Sequence, residues 1–335
     1  MNDKLLECLK LKKKDYVPIW FMRQAGRYLP EFQKIRKNNP NFINLCFNEK
    51  LVEEITLQPL KRYDLDAAII FSDILLIPFG LGQQVRFEKN LGPILEDLNI
   101  EEIIKKDNKK FITKLSPIYK SIKNVKSKIN QKSLIGFVGA PWTLLVYMLH
   151  KKSPKNDINI KNLLEDKIKV KNLLDKLVEI ICVHIGEQVK AGANVIQLFD
   201  SWAGLLPREE ISNYCFEPTI KIVDYVKSLN VPIICFPKGI KENYADFSLE
   251  VNPDCINIDY EIEPEWAKKN LKNVVIQGGL DPKILLNGKE QIKKYVDRYL
   301  DIFADQPYIF NLGHGILPNT NPEIIDYVIS IIKKK

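Results

Sequence analysis

The chain is expected to fold as an α/β protein, a single-domain (β/α)8 TIM barrel with short insertions that spans residues 1–335. Three observations predict it. Eight short apolar, β-branched runs alternate with amphipathic stretches along the whole sequence, as the strands and helices of a repeated βα unit do. Several of those runs are almost entirely apolar, which is the pattern of strands covered on both faces. Polar or glycine-rich residues then follow each run, where a barrel keeps its functional groups. An open doubly wound sheet would share the alternation, but no GxGxxG follows the first run.

The runs lie at residues 17–22, 66–71, 134–138, 194–199, 231–236, 255–259, 274–277 and 308–311. Helical patterns lie at 50–62, 160–191, 209–229, 263–271, 288–304 and 322–332. The first run leads into Met22-Arg23-Gln24-Ala25-Gly26-Arg27-Tyr28-Leu29-Pro30, followed by Phe32 and Arg36. Elsewhere the chain prefers lysine. Three arginines near one strand end point to two-point recognition of carboxylate or phosphate, which lysine does not reproduce. Gly26 and Pro30 call for a shaped loop there. The competing reading is salt bridging to Glu31 or Asp15.

The second run ends in Phe71-Ser72-Asp73. An aspartate among apolar neighbours needs a partner: backbone N–H groups, a cation or a metal, or a helix start that it caps. The third is Gly136-Phe137-Val138-Gly139-Ala140-Pro141-Trp142-Thr143, in which Pro141 starts a helix that places Thr143 and Tyr147 on one face. After the fourth, Asp200-Ser201 lacks the GxSxG frame of a nucleophile, so Ser201 reads as a ligand hydrogen-bond donor or a cap. Pro237-Lys238-Gly239 follows the fifth run and Asp259 ends the sixth. Gly278, Gly279 and Asp281 follow the seventh. After the eighth comes Gly313-His314-Gly315, the one histidine of three that sits between glycines at a strand end. Glycines after the last two strands also suit a phosphorylated substrate.

Composition sets the outer limits. With 45% hydrophobic and 27% charged residues, the 335-residue chain can fill a large core. No apolar run is long enough to cross a bilayer, and the lysine-rich start lacks the apolar stretch of a signal peptide. The six cysteines never form CxxC, which predicts reduced, mostly buried thiols and a cytoplasmic setting. The formal net charge of +8 fits a lysine-rich solvated surface better than a specific anionic partner. No histidine has a second ligand at zinc-like spacing.

Together these segments resemble the uroporphyrinogen decarboxylase family. Pro18-Ile19-Trp20-Phe21-Met22-Arg23-Gln24-Ala25-Gly26-Arg27 fits its first signature, and residues 136–147 fit its second. The segments around Asp73, Ser201 and His314 follow in family order. The resemblance implies a barrel that is usually a homodimer and uses neither metal nor organic cofactor. It implies decarboxylation of the acetate side chains of uroporphyrinogen, in porphyrin and haem synthesis, with no nucleic-acid or membrane partner. It further implies Asp73 and Arg23 as catalytic groups, with Gln24, Arg27, Phe32, Arg36, Tyr147, Ser201 and His314 completing the substrate site. After Tyr147 the chain departs from the family's glycine-rich pattern and reads Met148-Leu149-His150-Lys151-Lys152-Ser153-Pro154. Two other readings remain at this stage: a zinc-dependent methyltransferase relative acting on methylcobamides and thiols, which would need a His-x-Cys that this chain lacks, and a non-catalytic tetrapyrrole binder.

Overall fold

A computed structural model describes residues 3–88, 91–154 and 158–335. Its strands, in chain order, are β1 (Ala67–Ile69), β2 (Val85–Glu88), β3 (Gly92–Leu95), β4 (Ser133–Gly139), β5 (Val195–Asp200), β6 (Ile233–Pro237), β7 (Cys255–Ile258), β8 (Val275–Gly278) and β9 (Tyr308–Ile309). β2 and β3 pair as an antiparallel hairpin, and the other seven form one parallel sheet in the order β1-β4-β5-β6-β7-β8-β9. Sequential parallel strands joined by helices curl such a sheet toward closure.

Residues 17–22 close the gap between β9 and β1, but not as the regular strand their composition predicts. Ile19 bridges Phe310 in parallel. The Phe310 N–H donates to Pro18 O at 2.9 Å, and the Asp66 N–H donates to Ile19 O at 2.9 Å. Pro18 has no N–H to give a ladder. Side chains supply the remaining partners: the Ile19 N–H donates to Asp66 Oδ2 (2.9 Å) and the Met22 N–H to Asn311 Oδ1 (3.1 Å). Lys333 Nζ, 2.8 Å from Asp66 Oδ1, neutralises the carboxylate that holds this seam.

The lumen follows the two-residue period of the strands. Trp20, Met22, Ala67, Ile69, Ile135, Val195, Ile234, Phe236, Cys255, Val275 and Ile309 pack inside, and Leu5, Cys8 and Leu9 of the first helix, Lys4–Leu11, plug one end. A buried amide cluster crosses the middle. Gln277 Nε2 donates to Asn257 Oδ1 (2.7 Å) and Gln197 Oε1 (3.2 Å), and Trp20 Nε1 donates to Gln277 Oε1 (2.9 Å). A satisfied network of this kind fixes register across four staves of the barrel.

The helices depart from the sequence reading in three places. The pattern at 160–191 breaks into Ile160–Leu163 and Lys167–Lys190, because Asp166 caps a new helix by accepting from the Lys169 N–H at 3.0 Å. The pattern at 209–229 is regular only over Glu217–Ser228. A π-turn, Ser212–Phe216, precedes Pro218, whose missing N–H breaks the i→i−4 ladder. A 19-residue helix, Asn108–Lys126, and the β2–β3 hairpin are additions.

Candidate active site

A cleft of about 1720 Å³ opens at the C-terminal ends of the strands, the end at which a barrel presents loop residues from distant parts of the chain. Arg23, Arg27, Phe32, Arg36, Asp73, Tyr147, Ser201 and His314 all line it. Gln24 does not. Its side chain is buried under the arginine loop, where Oε1 accepts from the Phe21 N–H (3.0 Å) and Nε2 donates to Ala67 O (3.1 Å). The Gln24 side chain, expected at the substrate site, thus points away from the cleft: both ends of its amide are taken up by backbone, and it shapes the loop that presents its neighbours.

Arg23 adopts a left-handed backbone, φ 61°, an uncommon conformation for a residue with a side chain and one that recurs where a site needs a particular aim. Its guanidinium is open to the cleft and otherwise enclosed by protein. That enclosure and the charge of Arg27 lower its pKa, while Asp73 and Tyr147 act in the opposite direction. The side chain lies across Gly315. A Cβ there would come within 2.3 Å of Arg23 Cδ and 2.9 Å of Nε. Gly315→Ala is accordingly expected to displace Arg23 and lower kcat/KM about 10-fold, the loss of one charge-assisted hydrogen bond. Because the atoms displaced belong to a flexible side chain, Tm should move little. Kinetics together with a melting curve check both halves of this expectation.

Pro30 opens the helix Pro30–Asn38, which sets Phe32 and Arg36 one turn apart on the cleft face. The Arg36 guanidinium lies over the Phe42 ring, 5.5 Å from its centroid. Glu31, the carboxylate best placed in sequence to neutralise this wall, is instead gripped by Arg62 at 2.8 and 2.9 Å. Among the described residues, Arg23, Arg27 and Arg36 make no carboxylate ion pair. The salt-bridge reading of the three arginines fails on this geometry.

Asp73 sits half-buried on the floor of the cleft. Oδ1 accepts from the Leu75 N–H at 2.8 Å, a local turn that orients the carboxylate just before the helix Leu76–Leu81. Capping and an outward-facing role therefore coexist in one side chain. Burial raises its pKa to about 6, against the lowering pull of the Leu75 amide and Arg23. At neutral pH it is an anion facing a cationic wall.

His314 Nδ1 accepts from the Gly315 N–H at 2.7 Å, so in the neutral ring the proton is assigned to Nε2. Burial, Arg23 and Lys238 together push its pKa down to about 4. Tyr147 stands on the helix Pro141–His150, its ring edge-on to Trp202 at 5.9 Å. Burial raises its hydroxyl pKa, with a hydrogen bond to Ser153 lowering it. That contact ties the loop after Tyr147 to the site, and Leu95 N–H donates to Lys151 O at 2.7 Å, joining the same loop to the hairpin. Ser201 is held by the turn at the end of β5. There Thr143 Oγ1 donates to Asp200 Oδ1 (2.6 Å) and accepts from the Trp202 N–H (3.1 Å).

Two features of the cleft escaped the sequence reading. One is an aromatic floor: Phe137, Phe199 and Phe236 stand at the tops of β4, β5 and β6, packed edge to face with centroids 5.6 and 6.5 Å apart. The other is a further cation, Lys37, which lines the cleft together with the Lys238 that follows the fifth run. The signal for the floor was present in the strands' alternation. In an all-apolar run the face toward the lumen cannot be told from the face toward the helices until register is known.

The whole chain, residues 1–335, matches the family model described as uroporphyrinogen decarboxylase (URO-D). A uroporphyrinogen decarboxylase of Rickettsia felis is 44% identical over 95% of this chain and 93% of its own length. One of Rickettsia bellii is 44% identical over 95% of this chain and 94% of its own. Among solved structures, a methyltransferase from Methanosarcina mazei superposes with a TM-score of 0.79, covering 98% of this chain and 97% of its own at 14% identity, a likeness of fold alone.

Proposed function

The chain belongs to the uroporphyrinogen decarboxylase family, and from that premise we propose how its cleft performs the family's reaction. The reaction is removal of carbon dioxide from each of the four acetate side chains of uroporphyrinogen III, leaving methyl groups and giving coproporphyrinogen III. The relatives carry this name and not that of a methyltransferase. Among the described residues no three His, Cys, Asp or Glu side chains group as a metal site would require.

The observation that carries the reading is the placement of the Asp73 carboxylate on an aromatic floor beneath a wall of arginines that, among the described residues, have no carboxylate partner. The substrate is an apolar macrocycle with a rim of carboxylates. Its pyrrole N–H groups point inward to where a single acceptor can hold several at once, and Asp73 is that acceptor. The aromatic residues Phe137, Phe199 and Phe236 cover the hydrocarbon face, and Arg23, Arg27 and Arg36 take the carboxylates. Protonation of a pyrrole carbon makes the ring cationic. The carbon–carboxylate bond electrons flow into that ring as carbon dioxide leaves, a second proton converts the exocyclic methylene to methyl, and the proton first added to the ring carbon departs to restore the neutral pyrrole. Asp73 stabilises the cation because it is already anionic and already oriented. Propionate carboxyls sit one carbon farther out and cannot reach the same electron sink.

His314 enters as a neutral ring, so its Nε2–H serves as a hydrogen-bond donor to a carboxylate and not as a reservoir of imidazolium at neutral pH. Ser201 and Tyr147 add hydroxyl donors at the rim. The proton for the pyrrole carbon comes from Arg23 through water, from Tyr147 or from a substrate carboxyl. The protein acts as a homodimer without cofactor and meets no nucleic acid or membrane. No described helix is long and apolar enough to span a membrane.

The test is anaerobic incubation with uroporphyrinogen III, with the loss of carboxyls followed by chromatography. The same assay gives a pH profile. With Asp73 titrating at about 6, kcat/KM should fall on the acid side of that value, about 10-fold per pH unit once protonation dominates. A profile flat down to pH 5 would remove Asp73 as the required anion.

A further inference from the structure

We propose that Lys238 is a second carboxylate anchor, on the wall opposite the arginines, and that it holds the propionate of the pyrrole diametrically across from the one being decarboxylated. The inference rests on the reading of the cleft given above.

Position is the first argument. Counted round the ring of eight, residues 17–22 and β6 are four places apart in either direction, so Arg23 and Lys238 leave staves on opposite sides of the barrel. Both nonetheless line the same cleft. The arginine wall accounts for one side of the macrocycle only. The far rim carries carboxylates as well, and Lys238 is the cation on that side.

The second argument is that the lysine has nothing else to do. It is half-buried, and among the described residues it makes no ion pair or side-chain hydrogen bond. A half-buried ammonium that lines the cleft without a carboxylate partner is placed to take one from a ligand.

The third argument is the rigidity of its mount. The Lys238 N–H donates to Asp200 O at 3.0 Å, and Lys238 O accepts from the Gly204 N–H at 3.0 Å. Gly239, at φ 81°, presents its N–H to Asp259 Oδ2 at 2.7 Å. That same oxygen accepts from the Tyr244 hydroxyl at 3.0 Å, while Asp259 Oδ1 accepts from the Glu261 N–H at 2.9 Å. A left-handed glycine beside a fully engaged carboxylate fixes where the lysine stem leaves the backbone. The charge of Lys238 also reaches His314, whose pKa it helps to lower, so the lysine faces the shared cleft and not the outer surface.

The chemistry gives the anchor a specific task. Each acetate in turn must come to Asp73, so the macrocycle presents four orientations. Propionates survive all four steps, so the pyrrole opposite always offers one to Lys238. Its loss should therefore weaken retention at every step. In Lys238→Met we expect KM to rise about 10-fold with kcat within about 2-fold, the signature of lost uniform binding. Partly decarboxylated seven-, six- and five-carboxyl intermediates should appear free in solution, because they escape between steps. Lys238→Arg should restore retention, which separates charge from packing. Equilibrium binding of uroporphyrin III, read by fluorescence, should weaken by a similar factor in the methionine variant and recover in the arginine variant. An unchanged KM with no released intermediates, in a wild type that turns over, overturns the anchor and leaves the family reading intact. A wild type inactive on uroporphyrinogen overturns both.

Discussion

Replacing Asp73 with asparagine should reduce turnover about 100- to 1000-fold and, at the same time, make the protein more stable. The first effect follows from position. Removing one preorganised electrostatic stabiliser from an enclosed site costs about 10²–10³-fold, and here the stabiliser sits on the cleft floor where a cationic pyrrole would form, while Glu88, which also lines the cleft, is paired with Arg86. Asparagine keeps the size and an oxygen for the Leu75 amide but cannot hold a full negative charge. The second effect follows from the pKa. Asp73 titrates at about 6 in the fold, above its ordinary 3.8, chiefly because burial penalises the anion. A group shifted this way favours the fold below 3.8 and loses that contribution as pH rises through about 6. At pH 7.5 the native protein carries the whole penalty, about 1–2 kcal/mol after allowance for its access to cleft water. The variant escapes it. Melting curves at pH 7.5 should place Asp73→Asn above the wild type, and the gap should narrow as pH falls through about 6 toward 3.8. A variant that is both inactive and less stable at pH 7.5 would mean that Asp73 serves the fold and not the reaction.

The second large effect is at Arg23. Arg23→Lys keeps the charge, yet kcat/KM should drop about 10–100-fold, the worth of one hydrogen bond to a charged group. A lysine ammonium offers a point charge where the fork offers two parallel donors. The left-handed backbone at this residue aims the side chain across Gly315, and a shorter reach from the same aim cannot be recovered by a rotamer change. Kinetics with uroporphyrinogen that match the wild type would show that only the charge matters there.

Much of this was legible in the residues. The strands β1 and β4 through β9 overlap the apolar runs that mark them, none reaching more than one residue beyond its run, because a strand buried on both faces leaves little doubt in composition. The helix Pro322–Ile332 is bounded as its proline and periodicity dictate. What was illegible has physical causes. The helix Asn108–Lys126 carries Pro117 and many lysines, so its apolar stripe is thin. The 17–22 segment reads as a strand but is held by Asp66 and Asn311 side chains, which no periodicity reveals. Gln24 lies between two cleft arginines in sequence, and only the three-dimensional turn shows it facing inward. Lys238 could be placed after a strand, but its lack of a partner is a fact about neighbours distant in sequence.

The closure of the barrel also has a temporal side. The stave that carries Arg23 is synthesised well before its partner Phe310, which lies 291 residues beyond Ile19. Until that partner arrives, the seam has only its β1 side, through Asp66 and the Gln24–Ala67 hydrogen bond. Gly315, against which Arg23 rests, arrives later still. The site is therefore assembled in the same event that completes the fold. Competence to bind therefore depends on contacts between segments far apart in the chain, and the cleft is complete only when the ring has shut.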